Sequence, residues 1–131
     1  MDKNIVVFKL LADGSLKVIP EEILDNLETL QEYVGGNIEI VTLSREPDGS
    51  SLVMIVNDCG LIDELPVNPL ATVLYQGYFN AETVICGNAI VCAADSEGEL
   101  HDIPPFTGLA LLILAKDMRN KEGEANDKRG S

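Results

Sequence analysis

Residues 21–43 read EEILDNLETLQEYVGGNIEIVTL, and a change of period inside this stretch decides the fold class. Ile23, Leu24, Leu27, Leu30 and Val34 recur at three- and four-residue spacing, which predicts a helix with one apolar face over residues 21–34. Glu21, Glu22 and Asp25 fall in its first turns, where the helix dipole favours negative charge. Gly35-Gly36 ends it, because glycine takes a left-handed cap conformation without steric penalty. From Asn37 to Leu43 the period drops to two: Ile38, Ile40 and Thr42 face one way, Glu39, Val41 and Leu43 the other. A capped helix running directly into a strand places the chain in the α+β class.

The flanking sequence extends the same pattern. On the C-terminal side, Pro47-Asp48-Gly49-Ser50 is a turn, and the continuous apolar run Leu52–Val56 reads as a strand buried on both faces. The two strands predict an antiparallel hairpin. On the N-terminal side, Ile5–Leu11 and Leu16–Pro20 read as strands around the Ala12-Asp13-Gly14-Ser15 turn, with Lys17 pointing out. Asn57-Asp58-Cys59-Gly60 is a further turn, and Pro66 and Pro69 bracket a loop. Asn68 suits an N-cap with Pro69 at the first helical position, predicting a short helix over about 69–78. Thr83–Ala94 reads as one strand bent at Gly87-Asn88, with a turn between two short strands as the alternative. After the acidic turn Asp95–Glu99, Pro104-Pro105 opens an apolar C-terminal helix over about 106–118. The expectation is a small mixed or antiparallel sheet with these three helices. It forms one compact domain over 1–119, followed by a disordered polar tail over 120–131.

Charge limits function more than any motif does. The net charge is -13, and residues 46–115 contain neither lysine nor arginine while carrying ten carboxylates, Glu46 to Asp102. His101 is the lone potential cation in that span. Such a surface repels phosphate backbones and attracts basic partners, so direct nucleic-acid binding is not expected. With 46% hydrophobic residues, a chain of this length buries roughly two-thirds of its unfolded surface around Val, Ile and Leu.

Catalytic and metal patterns are not recognisable. Cys59, Cys86 and Cys92 lack zinc spacing, and their odd number without a secretory leader points to a reducing cytoplasm. Cys59 lies in a turn beside Asp58, Asp63 and Glu64, which disfavour its thiolate. Neither nucleotide-binding glycine fingerprint occurs, Asp63-Glu64 and Glu97–Glu99 lack a calcium-loop pattern, and no apolar run is long enough to span a membrane. No enzymatic activity, metal or cofactor is expected.

What remains is a set of polar groups beside glycine and proline corners: Tyr33, Gly35, Gly36, Asn37, Glu39, Asn57, Asp58, Asn68, Thr72 and Asn88. Each asparagine has an ordinary role in bonding its own turn. Converging, they would instead ring a pocket able to read the edge of a base or ribose.

The phrases LQEYVGGNIE (30–39), MIVNDCGL (54–61), LPVNPLAT (65–72) and VICGNA (84–89) occur in an order that resembles a family of small bacterial, phage and mobile-element proteins catalogued as a domain of unknown function. The resemblance covers about residues 4–94 and leaves the C-terminal helix outside. It implies a compact α+β domain from a phage, plasmid or integrative element, and it brings no catalytic residues. Two functions follow as expectations. One is a homo-oligomeric counter-defence protein that sequesters a small signalling nucleotide at the candidate residues. The alternative is an acidic, DNA-mimicking protein that inhibits a basic or nucleic-acid-binding host protein.

Overall fold

A computed structural model describes residues 7–10, 16–19, 24–60, 62–79, 82–104 and 107–118. The expected Ala12–Ser15 turn, the first turn of the helix over 21–23 and the tail over 120–131 lie outside the described residues. The elements are β1 (Val7–Leu10), β2 (Leu16–Ile19), α1 (Leu27–Val34), β3 (Ile38–Arg45), β4 (Ser51–Asn57), α2 (Pro69–Phe79), β5 (Ala89–Ala94), β6 (Leu100–His101) and α3 (107–118). The α+β class and the three helices are as expected.

The sheet is antiparallel throughout, with strand order β2-β1-β5-β4-β3. β4 pairs along one edge of β5. The other edge is shared, β1 taking Ala89–Val91 and β6 taking Ala93 and Ala94. Central strands β4 and β5 feed two cores. Val53, Ile55, Ile90, Cys92 and Ala94 pack with Leu30 and Val34 of α1. Met54, Val56, Ala89 and Val91 pack on the opposite face with Leu70, Ala71 and Leu74 of α2 and Leu111 and Ala115 of α3. The result is three layers, helix, sheet and paired helices, and it explains why β4 is apolar at successive positions in an antiparallel sheet. α3 meets the core through Gly108, Leu111 and Ala115 and exposes Leu109, Leu112 and Ile113 on its outer side.

Two expected elements differ in detail. α1 starts at Leu27, behind a short 3₁₀ turn at Leu24–Asp25. Asn26 is extended (φ -122°) and its side chain accepts the Thr29 amide at 3.1 Å, so an N-cap interrupts the apolar periodicity that suggested one longer helix. The predicted bent strand over 83–94 begins only at Ala89. Gly87 has φ +91°, which separates β5 from an isolated bridge between Cys86 and Val67. At the C-terminal end of α1, Gly35 (φ +84°) donates its amide to Gln31 O at 2.8 Å, as the glycine pair predicted. Among the described residues no helix is long and apolar enough to cross a membrane.

Candidate functional site

One end of the sheet gathers nearly every recognised phrase. The end of α1, the start of β3, the end of β4, the start of α2 and the start of β5 meet there, and buried asparagines join them. Asn57 Nδ2 donates to Val34 O at 3.2 Å, and Asn57 Oδ1 accepts the Cys59 amide at 2.7 Å. Asn68 is fully buried. Its Oδ1 caps α2 by accepting the Ala71 amide at 3.1 Å, while its Nδ2 donates to Gly87 O at 2.8 Å. Thr72 Oγ1 accepts the Ile85 amide at 3.0 Å. Glycines allow the close contacts: a Cβ on Gly36 would lie 2.8 Å from Asn57 Nδ2, and one on Gly60 would lie 2.5 Å from Cys86 O.

These bonds decide what the candidate residues can do. Asn57, Asn68 and Thr72 hold backbone groups of neighbouring segments, and among the described residues no buried side-chain nitrogen or oxygen lacks a partner. Gly35 and Gly36 cap α1, while Asn88 follows the Gly87 turn and is half-buried. Asn37 is exposed, its carbonyl accepting the Asp58 amide at 3.0 Å and its side chain the Gln31 amide at 3.4 Å. Tyr33 is half-buried against the α1 core, on the opposite face of the sheet from α2.

Glu39, Asn57 and Asp58 converge on a cleft of about 210 Å³ on the α2 side of the sheet, beside β3. Val41, Val56, Gly60, Tyr75 and the segment Thr83–Cys86 supply its other described walls. Gln76 Nε2 fixes that segment by donating to Thr83 O at 3.2 Å. Among the described residues the cleft's charged groups are the carboxylates Glu39 and Asp58, and both are exposed. Sequence reasoning missed Val41 and Tyr75. The alternation that sets Glu39 and Val41 on one face was available in the sequence, whereas nothing in it signalled the approach of residues 83–86.

The remaining chemistry-bearing groups are constrained. The Asp58 carboxylate, by hydrogen bond and by charge, holds the Cys59 thiol above its ordinary pKa. Burial pushes the Cys92 thiol up to about 12. Asp95, Glu99 and His101 each offer one donor atom within 4.8 Å of the others. Asp95 Oδ1 already accepts the Glu97 and Glu99 amides at 2.9 Å, and Oδ2 meets His101 Nε2 at 2.9 Å, a pairing that closes the turn onto β6.

Comparison with known proteins identifies one family. Residues 9–112 match the family described as "Domain of unknown function (DUF3846)", a match that extends past β5 into α3. No curated protein and no solved structure matches the chain.

Proposed function

The chain belongs to the DUF3846 family of domains of unknown function, and from the geometry we propose a non-enzymatic binding protein that holds a basic protein partner against its acidic surface. One observation carries this reading: among the described residues the cleft presents Glu39 and Asp58 and no cation, inside a chain whose residues 46–115 lack lysine and arginine altogether. Carboxylates in that setting attract guanidinium and ammonium groups and repel phosphate. Of the asparagines that would read a ligand edge, Asn57 and Asn68 are engaged with backbone, which favours a charge-led partner over a recognition pocket built on them. Calorimetry against basic DNA-handling host proteins tests the reading. Affinity should fall at least about tenfold between low and physiological salt, and affinity indifferent to salt would count against it. Tight capture of duplex DNA by the chain itself would also overturn it.

A second reading is capture of a small nucleotide-like signalling ligand, in the counter-defence role suggested by the phage and mobile-element setting of the family that the sequence resembles. The cleft supports it: about 210 Å³ is below the range for drug-sized ligands but suits a fragment such as a nucleobase. Glu39 and Asp58 would accept from its exocyclic amine, while phosphates would depend on backbone amides. Calorimetry against cyclic and ADP-ribose-derived nucleotides tests this, and an absence of heat with all of them would retire it.

A further inference from the structure

β3 ends the sheet, and among the described residues no strand pairs with its outer edge. The Asp58 amide donates to Asn37 O at 3.0 Å, so Asn37 and Asp58 form a hydrogen-bonded pair of the β3–β4 ladder. Such pairs recur at every second residue. Glu39 and Val41 therefore turn their backbone groups toward β4, while Ile38, Ile40 and Thr42 turn theirs outward. The register slips between Thr42 and Ser44, which confines the regular open edge to residues 38–42. That edge borders the cleft, because Glu39 and Val41 belong to both. Natural edge strands are usually covered, short or twisted away, yet no described strand covers the regular half of this one, which lies beside a pair of carboxylates.

We propose that the outer edge of β3 takes an extended basic segment of the partner by strand addition, with one arginine or lysine side chain entering the Glu39–Asp58 cleft. The proposal rests on the acidic-docking reading and gives the partner a conformation. Backbone groups of Ile38, Ile40 and Thr42 supply the ladder bonds. Side chains of the added strand that point to the α2 face land beside Glu39 and Val41. There an alkyl stem lies along Val41 and the Tyr75 ring, and a guanidinium reaches the two carboxylates. Alternate side chains fall on the other face beside Ile40, which is 50% exposed. The preferred segment therefore alternates basic with β-branched apolar residues.

A capped hexapeptide of alternating valine and arginine tests this on the full chain, with two isomers N-methylated at all three valines or at all three arginines. Successive amides of a strand face opposite edges, so strand addition predicts that one isomer loses at least about tenfold in affinity while the other binds like the parent. The parent should also slow hydrogen exchange at Ile38, Ile40 and Thr42. Ile40→Pro removes an outward amide at a position where an edge strand tolerates proline, and should weaken the parent peptide to the level of the impaired isomer. Glu39→Gln leaves the backbone intact and should weaken it severalfold. If both isomers bind like the parent, with salt-sensitive affinity and unprotected edge amides, strand addition is overturned and acidic docking survives. If no peptide binds at low salt, both are overturned.

Discussion

Asn57 reaches 3.2 Å from its position at the end of β4 to the carbonyl of Val34 in the last turn of α1. That bond joins the two cores at the sheet's end, since Val34 packs on the α1 face and the adjacent Val56 on the α2 face. It also explains the glycine pair, because a side chain at Gly36 would strike the Asn57 amide. A turn asparagine here bonds a distant carbonyl as well as its own turn, so its removal should be felt by the whole fold.

Asn68 gives the sharpest version of that expectation. Asn68→Ala removes the cap of α2 and leaves the buried Gly87 carbonyl without the amide it accepts, a combined loss of about 2–3 kcal/mol in urea unfolding. Asn68→Asp keeps the capping acceptor but sets a carboxylate against Gly87 O, so it should not rescue stability. A loss below about 0.5 kcal/mol for the alanine variant would show that the Asn68 bonds contribute little.

Two glycines should respond in opposite directions. A Cβ on Gly60 would sit 2.5 Å from the backbone oxygen of Cys86, so Gly60→Ala must displace main chain and should destabilise by about 2–3 kcal/mol. Gly77 lies within α2 with nothing within 4 Å of its would-be Cβ. Gly77→Ala should stabilise by about 0.5–1 kcal/mol through helix propensity and a less flexible unfolded chain. Thermal melts of the two variants side by side check both signs.

Local chemistry made much of this fold legible. The glycine stop after Val34, the Asn68 cap, the Pro47–Ser50 turn and the doubly buried run of β4 follow from residue type and period alone. The start of α1 was not legible, because Asn26 breaks an apolar pattern that runs through it unaltered. The end of β5 nearest Gly87 was hidden similarly, since Thr83–Ile85 has strand composition but its backbone is held by α2 through Thr72 and Gln76. The candidate site divided along the same line. Glu39, Asn57 and Asp58 reach one cleft, whereas Tyr33 lies across the sheet and Asn68 is fully buried at the start of α2. Sequence shows which residues are polar at corners; whether a corner faces a cavity or a carbonyl depends on segments far away in the chain.

Thiol chemistry separates two of the three cysteines. With its pKa pushed up to about 12, Cys92 carries roughly one thiolate in ten thousand at pH 8, and burial also excludes reagent. It should react with iodoacetamide only after unfolding. Cys59 is half-buried and held protonated first by its hydrogen bond to Asp58 and then by that carboxylate's charge. Asp58→Asn should therefore speed its alkylation at pH 8, read site by site by mass spectrometry. The raised Cys92 value also sets an alkaline limit. Above about pH 8.5 the unfolded thiol ionises while the folded one keeps its proton, so stability falls as pH rises toward 12, and Cys92→Ala should flatten that fall.

The Asp95 carboxylate is held below the ordinary aspartate range, first by its hydrogen bond with His101 and then by the Glu99 and Glu97 amides. A depressed folded value contributes stability above the unfolded pKa of about 3.9, and that contribution disappears as pH falls through the folded value. Stability of the parent chain should thus exceed that of Asp95→Asn at neutral pH, with the gap closing below about pH 4. His101→Ala removes the largest cause while leaving both amides. It should raise the Asp95 midpoint, followed by its carboxyl carbon shift in NMR, without bringing it fully to the ordinary value. If His101→Ala left that midpoint unmoved, the turn amides alone would hold the carboxylate, and the 2.9 Å contact with His101 would have no part in closing the Asp95–Glu99 turn onto β6.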